Sequence, residues 1–189
     1  MRIPGKKILD IFKGIDTNND KKLSHKELYN MGKAAGLKKG WIVDERKEVA
    51  DEFMGKFDSN KDNSVSWKEF QGNATSLIPK DAFNGNGEID AAKVKGQVSD
   101  VIDDVDANND GKLSKKEMEK FGEASLKEAD VSFAGTKAEI GTKVATHLLD
   151  TDGDNALSKD EILTPVEDAV KEVNKVKAEE NAAAMEPNS

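Results

Sequence analysis

A chain of 189 residues with 36% apolar and 35% charged residues can form one compact domain or two small lobes with limited cores. It holds no cysteine, which excludes disulfides, thiolate metal sites and a cysteine nucleophile, and no apolar run approaches the ~20 residues that span a bilayer. Its formal charge of −8 disfavours nucleic-acid binding.

From the N-terminus, Ile8, Ile11, Phe12 and Ile15 recur at i, i+3, i+4 and i+7 and predict a helix. The polar stretch Asp16–Glu27 (DTNNDKKLSHKE) ends it, and Leu28 and Met31 open the next helix. Val49, Phe53, Met54 and Phe57 lead into Asp58–Glu69 (DSNKDNSVSWKE), with Phe70 and Leu77 beyond it. The breaker-rich segment from Pro79 to Glu88 (PKDAFNGNGE) predicts a linker. Val94, Val98, Val101, Ile102 and Val105 then enter Asp106–Glu117 (DANNDGKLSKKE), and Met118 and Phe121 leave it. Ile140, Val144, Ala145, Leu148 and Leu149, a less regular face interrupted by Thr146, enter Asp150–Glu161 (DTDGDNALSKDE), and Ile162 and Leu163 leave it. Thr164-Pro165-Val166-Glu167 has the form of a cap with Pro at the first turn, predicting a kink or a fresh helix through Val166, Val170, Val173 and Val176. The remaining tail is expected to fray.

The four polar stretches are one pattern written four times. Their first, third and fifth places offer side-chain oxygens: Asp16, Asn18 and Asp20; Asp58, Asn60 and Asp62; Asp106, Asn108 and Asp110; Asp150, Asp152 and Asp154. The seventh place, where only a backbone carbonyl is needed, holds Lys22, Ser64, Lys112 and Ala156. The ninth holds Ser24, Ser66, Ser114 and Ser158, suited to a bridging water, and the twelfth Glu27, Glu69, Glu117 and Glu161, whose two oxygens close the sphere. Alternate oxygen donors and a bidentate glutamate suit calcium better than compact, octahedral magnesium. The lack of nitrogen and sulfur donors argues against zinc and copper. Thirteen of the 37 acidic residues sit at these places, leaving 24 against 29 lysines and arginines. The site residues therefore create the negative charge, and their mutual repulsion predicts a looser protein before ions are taken up.

These residues resemble the EF-hand superfamily, with the resemblance covering about residues 3–175. It implies an all-α fold of four helix–loop–helix units in two pairs, with short β-bridges between paired loops at Leu23 with Val65 and Leu113 with Leu157. The loops start at 16, 58, 106 and 150, and the longest gap is central. That division gives an N-terminal pair in 1–78, a linker in 79–91, a C-terminal pair in 92–176 and a flexible tail in 177–189. The within-pair spacing is longer than in compact calmodulin-like sensors and more similar to the sarcoplasmic calcium-binding proteins. The sixth place departs from the family's glycine, needed for a turn with positive φ. Gly111 keeps it, Asn63 and Asn155 tolerate the left-handed region, and Lys21 should lose roughly 1 kcal/mol there. Loop four also has four ligand carboxylates where the others have three, so loops three and four are expected to bind most tightly and loop one least.

Up to four calcium ions are the expected partners. Scarce methionine and 5% aromatic content favour a calcium buffer or store over a sensor that exposes an apolar groove to a protein target. A luciferin-binding role, which needs a large aromatic cavity, is poorly supplied. No catalytic residue is expected: His25 reads as solvated, and His147 as packed or pointing outward. Trp41 and Trp67 read as core or lobe-packing residues. Asn84, Asn86, Gly87, Ile89 and Asp90 match a fifth loop begun at Ala82, but Ala82 and Lys93 stand at its first and last places, so an Asn-Gly turn is the favoured reading. Asn73-Ala74-Thr75 matches a glycosylation triplet of a kind common by chance. A cytoplasmic monomer is expected, since the start of the chain has neither a signal-peptide core nor a myristoylation glycine.

Overall fold

Apolar residues at helical spacing on both sides of each polar stretch fold into four helix–loop–helix units, as expected. The computed structural model describes residues 7–41, 43–74 and 80–185. The first unit is α1 (Ile8–Ile15), β1 (Lys22–Ser24) and α2 (His25–Ala34), and the second is α3 (Glu45–Phe57), β2 (Ser64–Ser66) and α4 (Trp67–Ala74). After a 3-10 turn at Lys80–Ala82 come α5 (Ala91–Val105), β3 (Lys112–Ser114) and α6 (Lys115–Glu128), then α7 (Ala134–Leu149), β4 (Ala156–Ser158) and α8 (Lys159–Met185). The antiparallel bridges join Leu23 to Val65 and Leu113 to Leu157, the register expected from the eighth loop places. Leu77, in the expected second exit helix, lies outside the described residues.

The two cores differ in chemistry. Leu23 and Val65 point inward from their strands and are fully buried among Phe12, Ile15, Leu28 and Phe57. Burying such a side chain contributes about 1.5–3 kcal/mol. Aromatic rings extend this cluster: Phe12 meets Trp67 edge-on at 5.1 Å between centroids, and Phe57 stacks on Phe53 at 4.5 Å and on Phe70 at 5.3 Å. The cluster beneath the second strand pair is aliphatic, built on Ile102, Val105, Leu113 and Leu163.

The pairs touch each other. Val144 and Leu148 of α7 pack against the aromatic cluster, and α8 lies against α1, α4 and α5. The Ile8 N–H donates to Asp168 at 3.0 Å, and Gln71 donates to Glu172 at 3.2 Å. Of the kink or fresh helix expected at Pro165, the fresh helix is not formed: α8 runs through Pro165 as one element. Thr164 does not cap; its hydroxyl donates to the Asp160 carbonyl at 2.7 Å within the helix. The Pro165 ring nitrogen has no hydrogen to give, and beyond it Val170 and Val173 are buried against Ile89. The fraying expected from residue 177 meets a helix continuing to Met185.

The presumed linker folds onto α8. Asn84 accepts from the Asn86 and Glu88 N–H groups, Gly87 adopts φ +75, and Phe83 bridges to Ile89. The Asn-Gly segment is therefore a tight turn, and Asp90 caps α5 by accepting from the Lys93 N–H. Ile89 and Phe83 pack on Val170 and Val173. Asn174 clamps the turn, accepting from the Ile89 N–H at 2.8 Å and donating to its carbonyl at 2.9 Å. Lys177 donates to the Gly87 carbonyl at 2.7 Å and lies over the Phe83 ring.

Trp41 corrects an expectation. It is 96% exposed in the loop before α3, whereas Trp67 packs in the aromatic core as expected. Its neighbours Gly40 and Val43 belong to a loop tethered by a bridge from Lys39 to Asp44, which leaves the indole nothing to pack against. Among the described residues, no helix is long and apolar enough to cross a membrane.

Candidate metal centres

Each loop is shaped by its first aspartate, which ends the entering helix and then accepts backbone N–H groups from further along. Asp16 accepts from the Asp20 and Lys21 N–H groups at 3.2 and 2.9 Å. Asp58, Asp106 and Asp150 accept likewise from the N–H groups of Asn63, Gly111 and Asn155. The third and fifth residues each accept an N–H two places on, as Asn18 does from Asp20 and Asp20 from Lys22. These Asx turns gather the side-chain oxygens of places one, three and five on one side of each loop.

Two residues per loop must be left-handed. The sixth place has positive φ at Lys21, Asn63, Gly111 and Asn155, as expected. The fourth does too, at Asn19, Lys61, Asn109 and Gly153, which the sequence reading missed. Asparagine or glycine at three of those four places was the available signal. Loop two therefore carries a strained lysine at Lys61, as loop one does at Lys21.

The twelfth glutamate is already held in place. One oxygen of Glu27 accepts from the Ser24 N–H and hydroxyl at 2.9 and 2.7 Å. Its other oxygen accepts from the Thr17 N–H and hydroxyl at 2.9 and 3.1 Å. Glu161 repeats this with Ser158 and Thr151. Glu69 and Glu117 accept from Ser66 and Ser114 in the same way, but the second loop place holds Ser59 and Ala107. There Asn60 and Ala107 give only backbone N–H groups. The ninth-place serines thus serve as helix N-caps, accepting from the N–H of the twelfth glutamate. The sequence points to these serines only as holders of a bridging water, and the capping role is an addition to that expectation.

Burial and hydrogen bonding act on these carboxyls in opposite directions. Glu27 and Glu161 are 5% and 3% exposed. Burial pushes both up, and the N–H and hydroxyl donors outweigh it, holding them below the ordinary glutamate value. Donors from Ser66 and Ser114 hold Glu69 and Glu117 low as well. All four glutamates are thus kept as carboxylates.

The donor set fits a hard divalent ion. In loop four, carboxylate oxygens from Asp150, Asp152 and Asp154 lie within 4.8 Å of one another. An ion with metal–oxygen distances of about 2.4 Å spans such a gap. Asn18, Asn60 and Asn108 put a neutral oxygen at the third place of the other loops.

Residues 6–75 match the family model described as an EF-hand domain pair, and residues 98–122 match one described as an EF hand. The chain is an EF-hand protein. EF-hand domains of this kind bind calcium, the ion to which the oxygen donors point. Neither model extends to the fourth loop, which rests on its own residues and its β-bridge. No curated protein matches the chain. One similar solved structure is the coelenterazine-binding protein of Renilla muelleri in a calcium-loaded apo form. It is 21% identical, with 84% of this chain and 82% of that chain covered and a TM-score of 0.31, a superposition too loose to bear on ligands.

Other sequence candidates are placed as follows. His25 opens α2, and its ring Nε2 hydrogen-bonds Asp51 at 2.9 Å. His147 is exposed beside a 440 Å³ cleft between α1, α2 and α7, lined by Ile11, Ile15, Met31, Leu148 and Glu27. Asn73 spends its amide on the Phe57 carbonyl, the Ser59 hydroxyl and the Glu69 carbonyl inside α4, a helical setting unlike a glycosylated loop. Thr75 of that triplet lies outside the described residues.

Proposed function

We propose that this EF-hand protein is a cytoplasmic calcium buffer or store that takes up as many as four ions, one in each loop, as a monomer without catalysis. The ligands are the first, third, fifth, seventh, ninth and twelfth residues of loops 16–27, 58–69, 106–117 and 150–161. Asn18, Asn60 and Asn108 supply amide oxygens, and Lys22, Ser64, Lys112 and Ala156 backbone carbonyls. The observation that carries the buffer reading is α8, whose seat against α1, α4 and α5 covers faces that an opening pair would present. The ready-made hydrogen bonds to the four glutamates favour a small rearrangement on uptake.

The alternative is a sensor acting on a protein target. The apolar cleft lined by Ile11, Ile15, Met31 and Leu148 is the feature that favours it. Calorimetric titration of chelator-stripped protein, paired with small-angle scattering with and without calcium, tests both readings. Four uptake events with an unchanged scattering profile are expected. A large expansion with rising binding of an apolar dye would replace the buffer with the sensor. No uptake at millimolar calcium would refute both.

A further inference from the structure

We propose that Lys22 and Lys112 are tethered counter-ions for the neighbouring loops, so that an ion entering loop two or loop four must displace an ammonium already seated on its ligand carboxylates. This inference rests on the calcium-binding reading above and concerns how the two loops of a pair are coupled.

The contacts occur at matching places in both pairs. Lys22, at the seventh place of loop one, puts its Nζ 2.8 Å from Asp62, the fifth ligand of loop two. Lys112, at the seventh place of loop three, pairs with Asp154, the fifth ligand of loop four, and reaches Asp152 at 3.4 Å. The β-bridge sets this geometry. Its eighth-place residues Leu23 and Leu113 point into the core, so the seventh-place side chains leave the opposite face of the strand. Register places Lys22 opposite Ser66 and Lys112 opposite Ser158, within a lysine stem's reach of the facing loop's fifth residue.

The arrangement has a direction. Seventh places of loops two and four hold Ser64 and Ala156, too short to return the contact. Loops one and three therefore give a cation, and loops two and four receive one. The second pair strengthens the pattern with Lys115, which donates to Asn155 of loop four at 3.0 Å. An ordinary surface ion pair would have little consequence. These acceptors are different, because the proposed ion needs the same oxygens.

Two consequences follow. The lysines relieve carboxylate repulsion in loops two and four before uptake, and they lower the affinity of those loops for calcium. Removing Lys22 should raise the affinity of loop two about fivefold, the ratio equivalent to one strong exposed ion pair. Lys22→Met and Lys22→Arg are compared with Lys56→Met, which removes an exposed charge just before loop two without touching a ligand. Calcium titrations followed through the amide resonances of Asn63 and Asn155 resolve loops two and four separately. Ammonium resonances of the lysines in chelator-stripped protein give an independent readout. The expected result is tighter binding in loop two for Lys22→Met alone, near-parent binding for Lys22→Arg, and a slowly exchanging Lys22 ammonium that is released on calcium addition. Equal or weaker binding in Lys22→Met than in Lys56→Met would overturn the proposal while calcium uptake stands. Lack of uptake by the parent protein would instead remove the calcium reading on which it rests.

Discussion

Asn174→Ala is the sharpest test of how α8 holds the molecule. The side-chain amide makes two hydrogen bonds to Ile89, at 2.8 and 2.9 Å, and Ile89 is buried against Val170 and Val173. A hydrogen bond contributes about 0.5–1.5 kcal/mol net, and a donor left without a partner in a buried setting loses more. Two such bonds around a half-buried residue give an expected loss of about 2 kcal/mol. For a domain of this size that lowers Tm by about 4–8 °C. Urea unfolding of chelator-stripped protein gives the free energy, and a thermal scan followed by far-UV circular dichroism gives the shift. Asn174→Asp, which keeps one acceptor and loses the donor, should fall between the two. A loss under about 0.5 kcal/mol for Asn174→Ala would mean that the turn is not clamped by α8.

Three further outcomes are expected. Leu23→Ala, at a side chain 1% exposed, should destabilise by about 2–5 kcal/mol in urea unfolding, and Leu113→Ala in the aliphatic core should also destabilise. Lys21→Asn and Lys61→Asn each place a residue that tolerates positive φ where a lysine now adopts it, and each should stabilise by about 0.5 kcal/mol in the same assay. Glu27, Glu69, Glu117 and Glu161 have carboxyls lowered in the folded state, so their stability contribution is full above the unfolded value of about 4.3 and is lost as pH falls through the folded values. Acid titration of chelator-stripped protein should show destabilisation confined to that acidic window, with the Glu161→Gln variant losing part of it.

Local rules carried most of the fold into the sequence. Periodic apolar residues named the helices, and the eighth-place aliphatics named both strand registers, because loop geometry leaves a buried strand residue little choice. The sixth-place φ followed from steric limits on L-residues, and the fourth-place φ could have been read the same way. What escaped was set by distant contacts. Nothing near Pro165 announced that α8 would run on and that Val170 and Val173 would pack on a turn some 80 residues earlier. Trp41 read as core or lobe packing, yet it stands exposed in a short loop closed by the bridge from Lys39 to Asp44. Thr17 and Thr151 stand at no ligand place, so the loop pattern does not single them out, yet their hydroxyls donate to the closing glutamates. The side-chain contacts across each β-bridge were equally hidden, since they depend on which loops pair and in which register.

The unequal chemistry of the two cores governs what light can report. Both tryptophans and the single tyrosine precede residue 68, and the second half carries only phenylalanines. Intrinsic emission excited at the indole band would follow loops one and two directly and sense loop four only through the contact of Val144 and Leu148 with the aromatic cluster. An optical titration saturating at two equivalents would therefore describe where the chromophores lie, and a probe spread evenly along the backbone is needed to count the ions.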